Sequence, residues 1–81
     1  MMTLGQVLKM ARKKYGMTIR AVESKCGISN AYLSQLENDK VQSPTIHILR
    51  SLSVAYPMYE KEILMTQGLT GVFEREVKGD D

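Results

Sequence analysis

The 81-residue sequence contains one cysteine, Cys26, one phenylalanine, two prolines and no tryptophan. A single thiol cannot close an internal disulfide, and His47, the one histidine, lies too far along the chain to complete a zinc ligand set with it. Catalytic signatures are missing too. There is no glycine-rich phosphate loop followed by Lys-Ser or Lys-Thr, no histidine pair at helical spacing and no Cys/His neighbourhood. These absences predict a protein that is not an enzyme, with no catalytic residues, no bound metal and no cofactor. No apolar run approaches the roughly 18 residues that a membrane helix needs. Residues 1–12 lack the apolar core and small-residue cleavage site of a secretory signal, so a cytoplasmic location without membrane contact is expected.

What is present fits one small domain. A chain of this size buries only roughly 60–65% of the surface its unfolded form exposes, which makes oligomerisation an expectation from the start. Charge is unevenly spread. Residues 1–50 carry eight basic and three acidic residues, whereas residues 51–81 carry three basic and six acidic ones. The imbalance suggests one surface turned toward a polyanion and another turned away from it.

Apolar residues recur at helical spacing, and no segment alternates as a strand would. Leu4, Val7, Leu8, Ala11 and Tyr15 form the first stripe, with Thr3 as N-cap and Gly16 as the stop. Thr18 caps a second helix carrying Ile19, Val22 and Cys26, which Gly27 ends. Ser29 caps a third, with Leu33 and Leu36 inward and its end near Asn38. Ser43-Pro44 reads as the N-cap and first residue of a fourth, continued by Ile46, Leu49, Leu52 and Tyr56 and stopped by Pro57. A fifth is expected over Tyr59 to Thr66, with Ile63 and Leu64 inward, before Gly68 and Gly71 break the pattern. The prediction is a compact all-α bundle of five short helices, with a domain over residues 1–68 and a tail over 69–81 that is either a dimerisation segment or disordered.

Residues 19–38 combine a two-turn helix, a glycine turn and a second short helix, with apolar positions at Val22, Ile28, Leu33 and Leu36. That arrangement is a helix-turn-helix. Together, Thr18-Ile19-Arg20, Gly27-Ile28-Ser29, Tyr32-Leu33-Ser34-Gln35-Leu36-Glu37 and Ser43-Pro44 resemble the phage repressor and Cro-like family of DNA-binding transcriptional regulators. The resemblance spans about residues 4–66 and implies a lambda-repressor-like fold. Two positions depart from the family's habit. Glu23 stands where alanine is favoured, and its head is expected either in water or paired with a basic neighbour such as Arg20. Ile19 stands where glutamine is common, leaving only backbone N–H groups there to face a phosphate.

The resemblance implies that the third helix enters the major groove, making Asn30, Ala31, Ser34 and Gln35 the base readers. Asn30 and Gln35 can each offer a bidentate donor–acceptor pair to adenine, and Ala31 can touch a thymine methyl. Thr18, Ile19, Arg20, Ser29, Tyr32, Asn38 and Lys40 are the expected phosphate contacts, Tyr32 having the core edge as its alternative. Arg12 and Glu37 occupy positions where the family often places an ion pair joining the first helix to the end of the third. His47 reads as a surface or boundary residue and Cys26 as a small core residue.

The function these features imply is a sequence-specific regulator, a repressor acting as a homodimer on an inverted-repeat site in double-stranded DNA. The alternative is a protein-interaction module or antitoxin-type partner on the same fold, answering to a regulatory protein. Ile63, Leu64, Leu69, Val72 and Phe73 are the expected dimer surface, because the C-terminal part carries more apolar residues than a two-turn helix needs for its own core.

Overall fold

A computed structural model of the chain describes residues 1–69. Five helices follow in order: α1 (Leu4–Lys14), α2 (Ile19–Cys26), α3 (Asn30–Glu37), α4 (Ile46–Ala55) and α5 (Glu60–Thr66), with a 3₁₀ turn at Pro57–Tyr59 before α5. There is no strand among the described residues. The all-α fold expected of a lambda-repressor-like bundle is the one found.

Hydroxyl caps set most of the helix starts. Thr3 accepts from the Gln6 amide while the Gln6 side chain accepts from the Thr3 amide, a reciprocal capping box. Thr18 accepts from Ala21 N and Ser29 from Tyr32 N, so α2 and α3 each begin on a satisfied donor. The helix-turn-helix bend falls at Gly27, whose φ of 81° lies in the left-handed region that a side chain disfavours.

The start of α4 differs from the sequence expectation. Ser43 and Pro44 lie outside the helix, and Thr45 is the cap, accepting from Ile48 N at 3.4 Å. Either hydroxyl satisfies the local rule. The later one prevails, and Ser43-Pro44 belongs to the connection from α3.

The core is one cluster drawn from every helix. Leu8, Ala11, Val22, Leu36, Leu49, Leu52, Ala55, Tyr56 and Ile63 are almost wholly enclosed. α1 packs against α3 and α5, α2 against α3 and α4, and α4 against α5. α3 is therefore wedged between α1 and α2.

This packing corrects part of the expected dimer surface. Ile63 and Leu64 are 0% and 5% exposed, because α5 is short and turns both side chains into its own core. Leu69 is half-buried against that core, whereas Val72 and Phe73 lie outside the described residues. The apolar side chains that α4 and α5 leave outside are Val54, Met58 (in the 3₁₀ turn between them) and Met65.

Candidate nucleic-acid interface

α3 is amphipathic over only two turns, yet its inner side is fully committed. Leu33 and Leu36 are buried, and so is Glu37, at 7% exposure. A carboxylate so enclosed needs strong partners. Arg12 supplies them: its Nε donates to Glu37 Oε2 at 2.7 Å and its Nη2 to Oε1 at 3.0 Å, a bidentate fork from α1 to the last residue of α3. Nη1 also donates to the Met17 carbonyl at 3.1 Å, tying in the link to α2. The Glu37 hydrogen bond first raises the Arg12 pKa above its already high value, against the opposing effect of burial. Tyr56 lies beneath, its hydroxyl pushed well above the usual tyrosine range by burial first and by the Glu37 carboxylate second.

A second tie holds the end of α3, one that sequence reasoning missed. Lys40 N donates to Gln35 O and Asp39 N to Leu36 O, a Schellman closure with Asp39 in the left-handed position at φ 58°. Glycine is usual there. Asp39 instead uses its side chain: Oδ1 accepts from Gly5 N at 3.0 Å and Oδ2 from the Thr3 hydroxyl at 2.7 Å. The approach is so close that a Cβ on Gly5 would stand 2.6 Å from the Glu37 carbonyl and 2.7 Å from that of Leu36.

With one side anchored, the other faces solvent. Asn30, Ala31, Gln35 and Asn38 are exposed and Ser34 is half-buried. Asn38 turns back on its own helix, its amide nitrogen donating to Ser34 O at 2.9 Å. Asn30 crosses the turn, donating from its amide nitrogen to Glu23 Oε1 at 3.0 Å. Glu23 is half-buried and has found this partner, not Arg20, so the substitution for a small residue is accommodated by a polar bridge between α2 and α3.

The expected phosphate contacts divide. Thr18, Arg20, Ser29 and Lys40 are exposed near helix starts and at the end of α3. The capping oxygens of Thr18 and Ser29 accept from the backbone, which leaves each hydroxyl proton to donate. Ile19 is partly buried against the core, so only its backbone is available. Tyr32 also packs on the core edge and, with Cys26, Ser29 and Ile48, lines a shallow groove between the turn and α4. His47 is exposed and Cys26 half-buried. Among the described residues no cluster of His, Cys, Asp and Glu could hold a metal ion, and no helix is long and apolar enough to cross a membrane.

Comparison with known proteins agrees with this geometry. The chain is similar to the HTH-type transcriptional regulator SlrR of Bacillus subtilis, at 23% identity over 73 residues, 84% of this chain and 48% of that protein. It is also similar to the trifunctional NAD biosynthesis/regulator protein NadR of Salmonella typhimurium, at 38% identity over 60 residues, 69% of this chain and 15% of that protein. The chain thus spans about half or less of the length of these curated relatives. No solved structure matches it. The helix-turn-helix family model matches residues 8–63, a span that runs from inside α1 into α5 and includes the whole bend, and the chain belongs to this Cro/C1-type helix-turn-helix family.

Proposed function

We propose that the chain binds double-stranded DNA in a sequence-specific manner as a transcriptional regulator, acting as a repressor and as a homodimer on an inverted-repeat operator. The observation that carries this reading is the division of α3: Leu33, Leu36 and Glu37 are held inside, while Asn30, Ala31 and Gln35 stand on the open side. Amide side chains on a rigidly seated helix suit base edges in the major groove, where each can pair with donors and acceptors together. Exposed Arg20 and Lys40 beside that helix, with the hydroxyls of Thr18 and Ser29, suit the flanking phosphates.

Two copies are required by this reading, because one short helix makes too few base contacts for operator-level discrimination. With Ile63 and Leu64 inside the monomer, the exposed apolar side chains that the described part of the C-terminal half offers for pairing are Val54, Met58 and Met65. Selection of bound duplexes from a random library, followed by mobility shifts at two salt concentrations, tests the function. A two-fold symmetric site and a steep loss of affinity with salt are expected. Absence of any enriched sequence would leave the protein-interaction alternative in its place.

A further inference from the structure

We propose that Glu23 selects which base Asn30 can read, making it a positioning residue for specificity; this rests on the DNA-reading role proposed above. Asn30 is the first residue of α3 and is exposed. Its amide nitrogen donates to Glu23 Oε1 at 3.0 Å, across the bend from α2. A carboxylate has only acceptors, so the nitrogen of the amide faces it and not the oxygen. The amide oxygen, on the opposite branch of the side chain, is thereby left to accept, and the nitrogen keeps one further N–H.

A free asparagine amide turns over at little cost and offers either face to a base. Held by Glu23, it presents its oxygen and its remaining N–H in one fixed order and sits beside a negative charge. In the major groove adenine displays an amino donor at N6 beside the acceptor N7 and cytosine an amino donor at N4, whereas guanine displays only acceptors, O6 and N7, and thymine the acceptor O4. The fixed oxygen accepts from the amino groups of the first two, the remaining N–H can also reach adenine N7, and oxygen and carboxylate together disfavour the acceptor edges of the second two. The base facing Asn30 is therefore adenine or cytosine.

Site selection from a random duplex library with the full chain tests this, using Glu23→Ala, Asn30→Ala and the double variant beside the unaltered protein. Asn30→Ala identifies the position by flattening it. At that position the unaltered protein should favour adenine or cytosine over guanine by about tenfold or more, and Glu23→Ala should reduce the preference to under about threefold. In the Asn30→Ala background, removing Glu23 should change nothing further there, a non-additivity that a purely structural role would not produce. Alanine suits a helix interior, and Glu23→Gln, which keeps the volume and no longer dictates the amide orientation, should admit guanine as well. Unchanged preference at the Asn30 position in both variants, or an equal loss at every position, overturns the assignment while leaving DNA reading intact. A library that yields no preferred site overturns both.

Discussion

Asp39 Oδ1 accepts the Gly5 amide at 3.0 Å, joining the residue just beyond α3 to the first turn of α1. The bond satisfies one of the orphan N–H groups that every helix start leaves open, and it does so with a charged acceptor. Its geometry requires the backbones to meet at a distance only glycine allows. Gly5→Ala should therefore destabilise the fold by about 2 kcal/mol, even though alanine is the better helix former by about 1 kcal/mol. Thermal melting should show a fall of roughly 10 °C. A melting temperature that rises would mean that α1 and α3 separate freely.

Asp39→Gly sets two effects against each other. Glycine relieves the left-handed backbone at φ 58°, worth about 1 kcal/mol, but removes the bonds to Gly5 N and the Thr3 hydroxyl. Hydrogen bonds to a charged group contribute about 1.5–3 kcal/mol, less where solvent reaches them, as at Thr3. Net destabilisation of about 1–2 kcal/mol is expected from denaturant titration. Stabilisation would show that the turn conformation outweighs the tie.

Arg12 and Glu37 should behave as a coupled pair. The Arg12 side chain is 18% exposed and that of Glu37 is 6%, so removing the arginine strands the more deeply buried charge. Arg12→Ala should cost about 3 kcal/mol, and the double variant with Glu37→Leu should cost clearly less than the sum of the singles. Additive losses in the four-member cycle would contradict the geometry.

Tyr56 makes stability sensitive to alkali. Its pKa is raised in the folded state, so its contribution is fully present below the ordinary tyrosine value of about 10 and is lost as pH rises above it. Denaturation between pH 8 and 11 should show stability falling in the upper part of that range, by up to about 1.4 kcal/mol per pH unit from this one group. Tyr56→Phe should flatten the fall. An unchanged slope in that variant would assign the alkaline transition elsewhere.

Gln35 and Lys40 should separate reading from anchoring. Gln35→Ala is expected to relax preference at one base position at a cost of about 1–3 kcal/mol. Lys40→Ala should instead weaken all sequences alike and lower the salt slope by about one per site. Exchange of these two signatures would reverse the roles.

Much of the framework was legible because it is written in local chemistry. Thr3, Thr18 and Ser29 cap where their positions ahead of an apolar stripe imply, and Gly16 and Gly27 take positive φ. The fourth helix start was misread because Ser43-Pro44 and Thr45 both obey the capping rule, and only the path of the connection decides between them. Asp39 escaped because its partners lie 34 and 36 residues away. Glu23 was expected in water or beside a basic neighbour such as Arg20, one turn back, because Asn30, its partner in the structure, stands beyond the bend. For Ile63 and Leu64, periodicity places both inward, as the structure has them, and two side chains consumed by the monomer's own core cannot also supply the dimer surface expected of them.

The shortness of α2 and α3 has a consequence for how long the protein survives. Helices of eight residues are marginal alone in water, so the surface proposed to read DNA exists only while the whole bundle is folded. Operator occupancy and resistance to proteolysis then draw on one equilibrium. DNA at a hundredfold excess over its Kd would add about 2.7 kcal/mol to the folded form, slowing degradation through global opening by roughly a hundredfold. Copies sitting on their sites would outlive free ones, and turnover would clear the unoccupied pool first.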